Sequence, residues 1–117
     1  MNKIITIILV LTMAFIFAAC SKETEELVIH DTGMEMTTNN FSSTETQAVS
    51  LTAGSDILLN INTHSGSIDI LITDTLGNII GSGTEVNGSM SFGIREDGEY
   101  IIYITGKSHC GSFKVSW

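Results

Sequence analysis

The chain has 117 residues, with 13 acidic against 5 basic side chains and a formal net charge of −8. That length allows one small domain built on one core, and the negative charge disfavours nucleic acid and anionic surfaces as partners. There is no proline, and the 11 glycines sit between apolar runs, a spacing that predicts turns rather than a low-complexity linker.

The N-terminus reads as a sorting signal. Asn2-Lys3 is a positive n-region, Ile4 to Phe17 an apolar h-region, and Ala18-Ala19 the small residues a signal peptidase requires. The 16 residues from Ile4 to Ala19 include Thr6 and Thr12 and fall short of the roughly 20 apolar residues that cross a hydrocarbon core. A cleaved leader therefore fits better than a span. Phe17-Ala18-Ala19-Cys20 resembles the bacterial lipobox, with Phe17 where Leu is commoner. The resemblance implies a lipoprotein signal peptide at residues 1–19, a diacylglyceryl thioether on Cys20, and acylation of the new amine by a palmitate-type chain. Each buried methylene contributes ~0.8 kcal/mol, so two or three chains anchor a domain stably where one does not. The expected location is extracytoplasmic, at the cell membrane or outer envelope. Cleavage leaves 98 residues (117 minus 19) with 13 acidic against 4 basic side chains. With Cys20 lipidated, an intramolecular disulfide is excluded and packing must supply the stability.

Residues 20–40 are acidic and Thr-rich, with Leu27-Val28-Ile29, Met34 and Met36 as their apolar content, and predict a tether. Leu27 to His30 is short enough to add an edge strand. Residues 41–117 alternate with a period of two throughout and predict an all-β domain. Strands are expected at Thr46 to Leu51, Asp56 to Thr63, Ser67 to Thr73, Ile79-Ile80, Ser89 to Ile94, Glu99 to Thr105 and Phe113 to Trp117. Ile57, Leu59 and Ile61 share one face, and Asn60 and Asn62 face the other way. Ile68, Ile70 and Ile72, then Tyr100, Ile102 and Ile104, form further inward sets. Turns are expected at Ala53-Gly54-Ser55, His64-Ser65-Gly66, Asp74 to Asn78 and Glu96-Asp97-Gly98. About seven short strands at this spacing predict a small antiparallel β-sandwich of jelly-roll or immunoglobulin-like kind.

The segments Gly66 to Ile70, Asp74 to Asn78, Gly88 to Phe92, Asp97 to Tyr100 and Gly111 to Val115 resemble the Golgi-dynamics (GOLD) β-sandwich of eukaryotic cargo receptors. They are also similar to small bacterial lipoproteins ending in a Gly-Ser-Phe-Lys-Val-Ser-Trp-like strand. The receptors carry a disulfide Cys shortly after the Gly-x-Tyr corner, where this chain has Ile101, Ile102 and Tyr103. The resemblance therefore implies a fold and a binding role, without trafficking function and without catalytic residues.

The residues point the same way. His109-Cys110 is the pair closest to a thiol nucleophile or metal ligand, but neighbours on an extended chain point to opposite faces and no orienting third group is identifiable. His30, His64 and His109 lack zinc-finger spacing. Asp74 with Asn78, and Glu96, Asp97 and Glu99, offer hard oxygen ligands for calcium, although an Asp before Gly is ordinarily turn chemistry. The reading is a non-catalytic binding or envelope-structural module, with no cofactor, whose partners are the membrane through Cys20 and a protein or glycan. The alternative is a carbohydrate-binding or calcium-dependent adhesion module.

Overall fold

A computed structural model describes residues 26–117; the signal segment and Cys20 lie outside the described residues. Seven strands follow in order: β1 (Glu26–His30), β2 (Gly33–Phe41), β3 (Thr44–Leu51), β4 (Asp56–Asp74), β5 (Ile79–Gly83), β6 (Gly88–Gly93) and β7 (Gly98–Ser116). All pairings are antiparallel.

The two 19-residue strands, β4 and β7, organise the rest. They pair along almost their whole length, from Leu58 opposite Ser116 to Asp74 opposite Tyr100. The C-terminal part of β7 carries β2 and then β1 on its free side, while its N-terminal part carries β3. The N-terminal part of β4 carries β6, and its C-terminal part β5. The result is a five-stranded half, β1-β2-β7-β4-β6, continuous with a four-stranded half, β3-β7-β4-β5. Buried side chains from both halves form one cluster. No helix occurs among the described residues, so each half buries its apolar face against the other, and the architecture is the expected all-β sandwich.

Keeping that face inward through two long strands requires a change of parity. In β4, Ile57, Leu59 and Ile61 are buried at odd positions and Ile68, Ile70 and Ile72 at even ones. In β7 the order reverses, from Tyr100, Ile102 and Ile104 to Phe113 and Val115. A strictly alternating strand would turn one of each pair of sets into solvent. Register shifts between Thr63 and Ser67 insert the necessary offset, a β-bulge that bends both strands. Gly66 takes φ +73 there, with Ser108 opposite at φ +49.

Two expectations are corrected. His64-Ser65-Gly66 is not a turn between strands but the bulge inside β4, because β7 continues to pair on both sides of it. Of the segment read as a tether, residues 26–30 and 33–40 lie in β1 and β2, with the possible edge strand at Leu27 to His30 present as part of β1. Met34, Met36 and Phe41 are buried, with Phe41 ring-to-ring 6.1 Å from Phe113. Met34 and Met36 on alternate residues, with Phe41 beyond a register shift, suffice to hold a polar strand when β7 offers a free edge.

Candidate functional site

The outward face of the five-stranded half is a register-aligned polar surface. Glu35 of β2 lies opposite Lys114 of β7, Lys114 opposite Asn60 of β4, and Asn60 opposite Ser89 of β6. One step along the strands, Thr37 lies opposite Ser112 and Ser112 opposite Asn62. Antiparallel partners point to the same side of the sheet, so these side chains form two neighbouring rows. All of them but Ser89 line a groove of roughly 810 Å³, which Val28 and Asn87 also border. Asn87 is fixed there because its Oδ1 accepts the Thr63 amide at 3.2 Å.

The chemistry of the face lies in what its groups do not do. Glu35, Thr37, Asn60, Asn62, Ser112 and Lys114 make no side-chain hydrogen bond or ion pair among the described residues. Several polar groups elsewhere are engaged with one another. Lys107 pairs with Asp69 at 3.0 Å, and Thr44 and Thr105 share a hydrogen bond at 2.9 Å. The Glu85 amide, donating to Asp69 at 2.9 Å, and then Lys107 hold the Asp69 carboxyl below its ordinary value; Asp69 in turn raises Lys107. The groove thus offers two carboxamides and two hydroxyls, each able to donate and accept, around one carboxylate and one ammonium.

The residues singled out from sequence fall elsewhere. Cys20 lies outside the described residues. His30 and His64 are exposed, whereas His109 is fully buried, and the described residues hold no group of three or more His, Cys, Asp or Glu able to bind a metal. The ring of His109 is held by Thr38 at Nδ1 (2.7 Å) and Thr63 at Nε2 (3.0 Å), bridging β2, β7 and β4. Burial, and then the charge of His64, push its pKa below the ordinary value.

Cys110 is buried and disulfide-bonded, which corrects the expectation that the chain excludes a disulfide and removes the thiol-nucleophile reading. That expectation rested on taking Cys20 as lipidated, which left Cys110 without a partner in a chain of two cysteines. At the calcium candidates, Asp74 Oδ1 accepts the amides of Leu76 (2.9 Å) and Asn78 (2.8 Å), and Oδ2 accepts the Asn78 side-chain amide (2.9 Å). These bonds, the Asn78 side chain first, hold its carboxyl low. Asp97 Oδ1 accepts the Ala53 amide at 2.7 Å. Both carboxylates serve as turn caps.

Of the groove residues, the outward placement of Asn60 and Asn62 was readable from alternation. Glu35 was not, because it sat in the presumed tether; the alternating Met34 and Met36 around it were the available signal.

No protein-family model matches the chain, and no curated protein matches it. Among solved structures, the pre-peptidase C-terminal domain of a collagenase from Bacillus anthracis superposes with a TM-score of 0.50 at 13% identity, over 80% of this chain and 84% of that one. PliG, a periplasmic inhibitor of g-type lysozyme from Aeromonas hydrophila, gives a TM-score of 0.47 at 15% identity, covering 79% and 84%. A family 35 carbohydrate-binding module from Clostridium thermocellum gives 0.41 at 16% identity, covering 80% and 88%. At such identities the likeness to the collagenase domain is one of fold.

Proposed function

We propose that this chain is a non-catalytic binding module of a bacterial cell envelope, lipid-anchored at Cys20, whose polar groove takes a neutral polyhydroxylated ligand, a glycan. The observation that carries the reading is the double row of uncommitted amides and hydroxyls, Asn60, Asn62, Thr37 and Ser112, set in register on one rigid sheet face. Vicinal hydroxyls donate and accept together, as carboxamides do, and a preformed face does not have to be ordered on binding. The face has no aromatic platform, so affinity rests on hydrogen bonds and is modest. The resemblance to GOLD sandwiches and to small bacterial lipoproteins supports a binding role, and the lipobox resemblance of Phe17-Ala18-Ala19-Cys20 supports the anchor.

Titrating the isotope-labelled chain with soluble peptidoglycan fragments and xylo- and cello-oligosaccharides tests the ligand. Amide shifts confined to the groove and lost in N60A/N62A support it; shifts elsewhere, or none, refute it. Expression behind its own leader tests the anchor. Wild type is expected in the membrane fraction with added acyl mass, and C20A in the soluble fraction; a chain retaining residues 1–19 without acyl mass refutes the anchor. The chain has two cysteines and a sulfur bearing a thioether cannot also close a disulfide, so lipidation at Cys20 requires the disulfide of Cys110 to be opened or made to a second molecule, and the same mass measurement reads that state.

A further inference from the structure

Apart from the polar groove, the sandwich exposes apolar surface beside an open strand edge. Three of the six large apolar side chains exposed among the described residues fall within five positions: Leu76 at 86%, Ile79 at 66% and Ile80 at 38%. They form one lip of a groove of roughly 900 Å³ whose other lip is the segment from Arg95 to Glu99. Both lips are held in place. Asp74 caps its own turn, and the Tyr100 hydroxyl donates to the Glu96 carbonyl at 2.6 Å while Asp97 accepts the Ala53 amide. The groove is therefore preformed rather than assembled on binding.

β5 contributes Ile79 and Ile80 to this groove and pairs with β4 alone, leaving its second edge without a strand partner among the described residues. Its sequence, Ile79-Ile80-Gly81-Ser82-Gly83, has neither a charge nor a proline, the devices that ordinarily blunt an open edge. Asp74, Glu96, Asp97 and Glu99 surround the groove against the one cation Arg95. Two copies docked edge to edge would bring these carboxylates together, so charge selects a basic partner over a second copy.

We propose that the β5 edge and the lip of Leu76, Ile79 and Ile80 dock an extended protein segment that alternates apolar and basic residues, added as a further strand of the four-stranded half. Strand addition uses the free main-chain groups of β5 for affinity and the apolar lip for side-chain selection. Glu96 and Glu99 receive the basic side chains. The site is independent of the polar groove.

The probes are short labelled peptides alternating leucine with lysine, leucine with glutamate, and serine with lysine, each titrated by fluorescence anisotropy and amide-resonance mapping into the full chain. The leucine–lysine peptide is expected to bind, with shifts centred on 79–83. L76S/I79S alters exposed side chains and should leave the melting temperature in place while weakening binding about tenfold, or about 1.4 kcal/mol. E96Q/E99Q should weaken it and flatten its salt dependence. N60A/N62A should change nothing here, which separates this site from the glycan groove. Absence of binding overturns the proposal. So does equal binding of either control peptide, shifts mapping to the polar groove, or concentration-dependent self-association abolished by L76S/I79S.

Discussion

Thr38 Oγ1 lies 2.7 Å from Nδ1 of His109, a residue 71 positions later, and this contact joins β2 to the point where β7 changes parity. Thr63 completes the bridge from β4 on the other ring nitrogen. One hydroxyl donates to the bare nitrogen of the neutral ring and both accept from the imidazolium, so the geometry alone does not forbid the charge. What opposes the charge is burial, followed by His64.

A pH dependence follows with a definite sign. The folded-state pKa of His109 lies below 6.5, the value for the unfolded chain. At acid pH the unfolded state binds the extra proton, so this contribution is fully present above about 6.5 and is lost as pH falls through that value toward the folded one. The melting temperature should decline between neutral pH and pH ~5. In H109Q that step should be absent, on a background lowered by about 2 kcal/mol from imperfect packing and orphaned hydroxyls. Asp69, whose pKa is also depressed, loses its contribution in a separate window below about 3.8. An unchanged pH profile in H109Q would remove the ring from the account.

The bulge makes two glycines unequal. A Cβ on Gly66 would collide with the Ser108 carbonyl, and the residue holds φ +73 between two paired strands. Gly77 has a comparable φ of +86 but nothing within 4 Å. G77A should cost about 1 kcal/mol, the intrinsic strain alone. G66A should cost about 3 kcal/mol or prevent folding, because backbone rather than a flexible side chain must move. Chemical denaturation of both variants decides, and equal costs would mean that the bulge relaxes freely.

Asp69 and Lys107 share an ion pair but not its consequences. Lys107 reaches from an exposed position, whereas Asp69 also caps the Glu85 amide. D69A should lower the melting temperature visibly and K107A scarcely at all, since exposed ion pairs contribute little and an orphaned amide costs more. Added salt should not separate wild type from K107A. Equal effects would assign the stability to the ion pair instead.

Trp117 closes the β1–β2 turn onto the core. Its amide donates to the Thr32 carbonyl and its Nε1 to the Asp31 carbonyl, both at 3.0 Å, while the ring packs against the buried cluster. W117F should cost about 1 kcal/mol for the lost N–H bond, and W117A about 2–3 kcal/mol. Urea denaturation measures both.

Much of the core was legible along the chain. Ile57, Leu59, Ile61, Ile68, Ile70, Ile72, Ile102 and Ile104 are buried as their alternation indicates, because period-two spacing allows one apolar face. The capping role of Asp74 was also readable, since an Asp can bond the amides that follow it. The participation of β2 was not. Glu35, Thr37 and the residues around them score as a solvated segment until β7 supplies an edge, and that edge is contributed by residues some 80 positions away, such as Val115 opposite Met34.

Local composition and alternation thus determined that residues 41–117 make strands, which side of most of them is apolar, and where turns such as Asp74 to Asn78 fall, since those depend on neighbours one to four positions apart. Tertiary structure alone decided that β4 and β7 run unbroken through a shared bulge, that His109 is shut between two threonines, and that Glu35, Lys114 and Asn60 stand in one row. Those are matters of register between distant segments. A shift of a single residue would send each of these side chains to the opposite face, and no local pattern encodes which register wins.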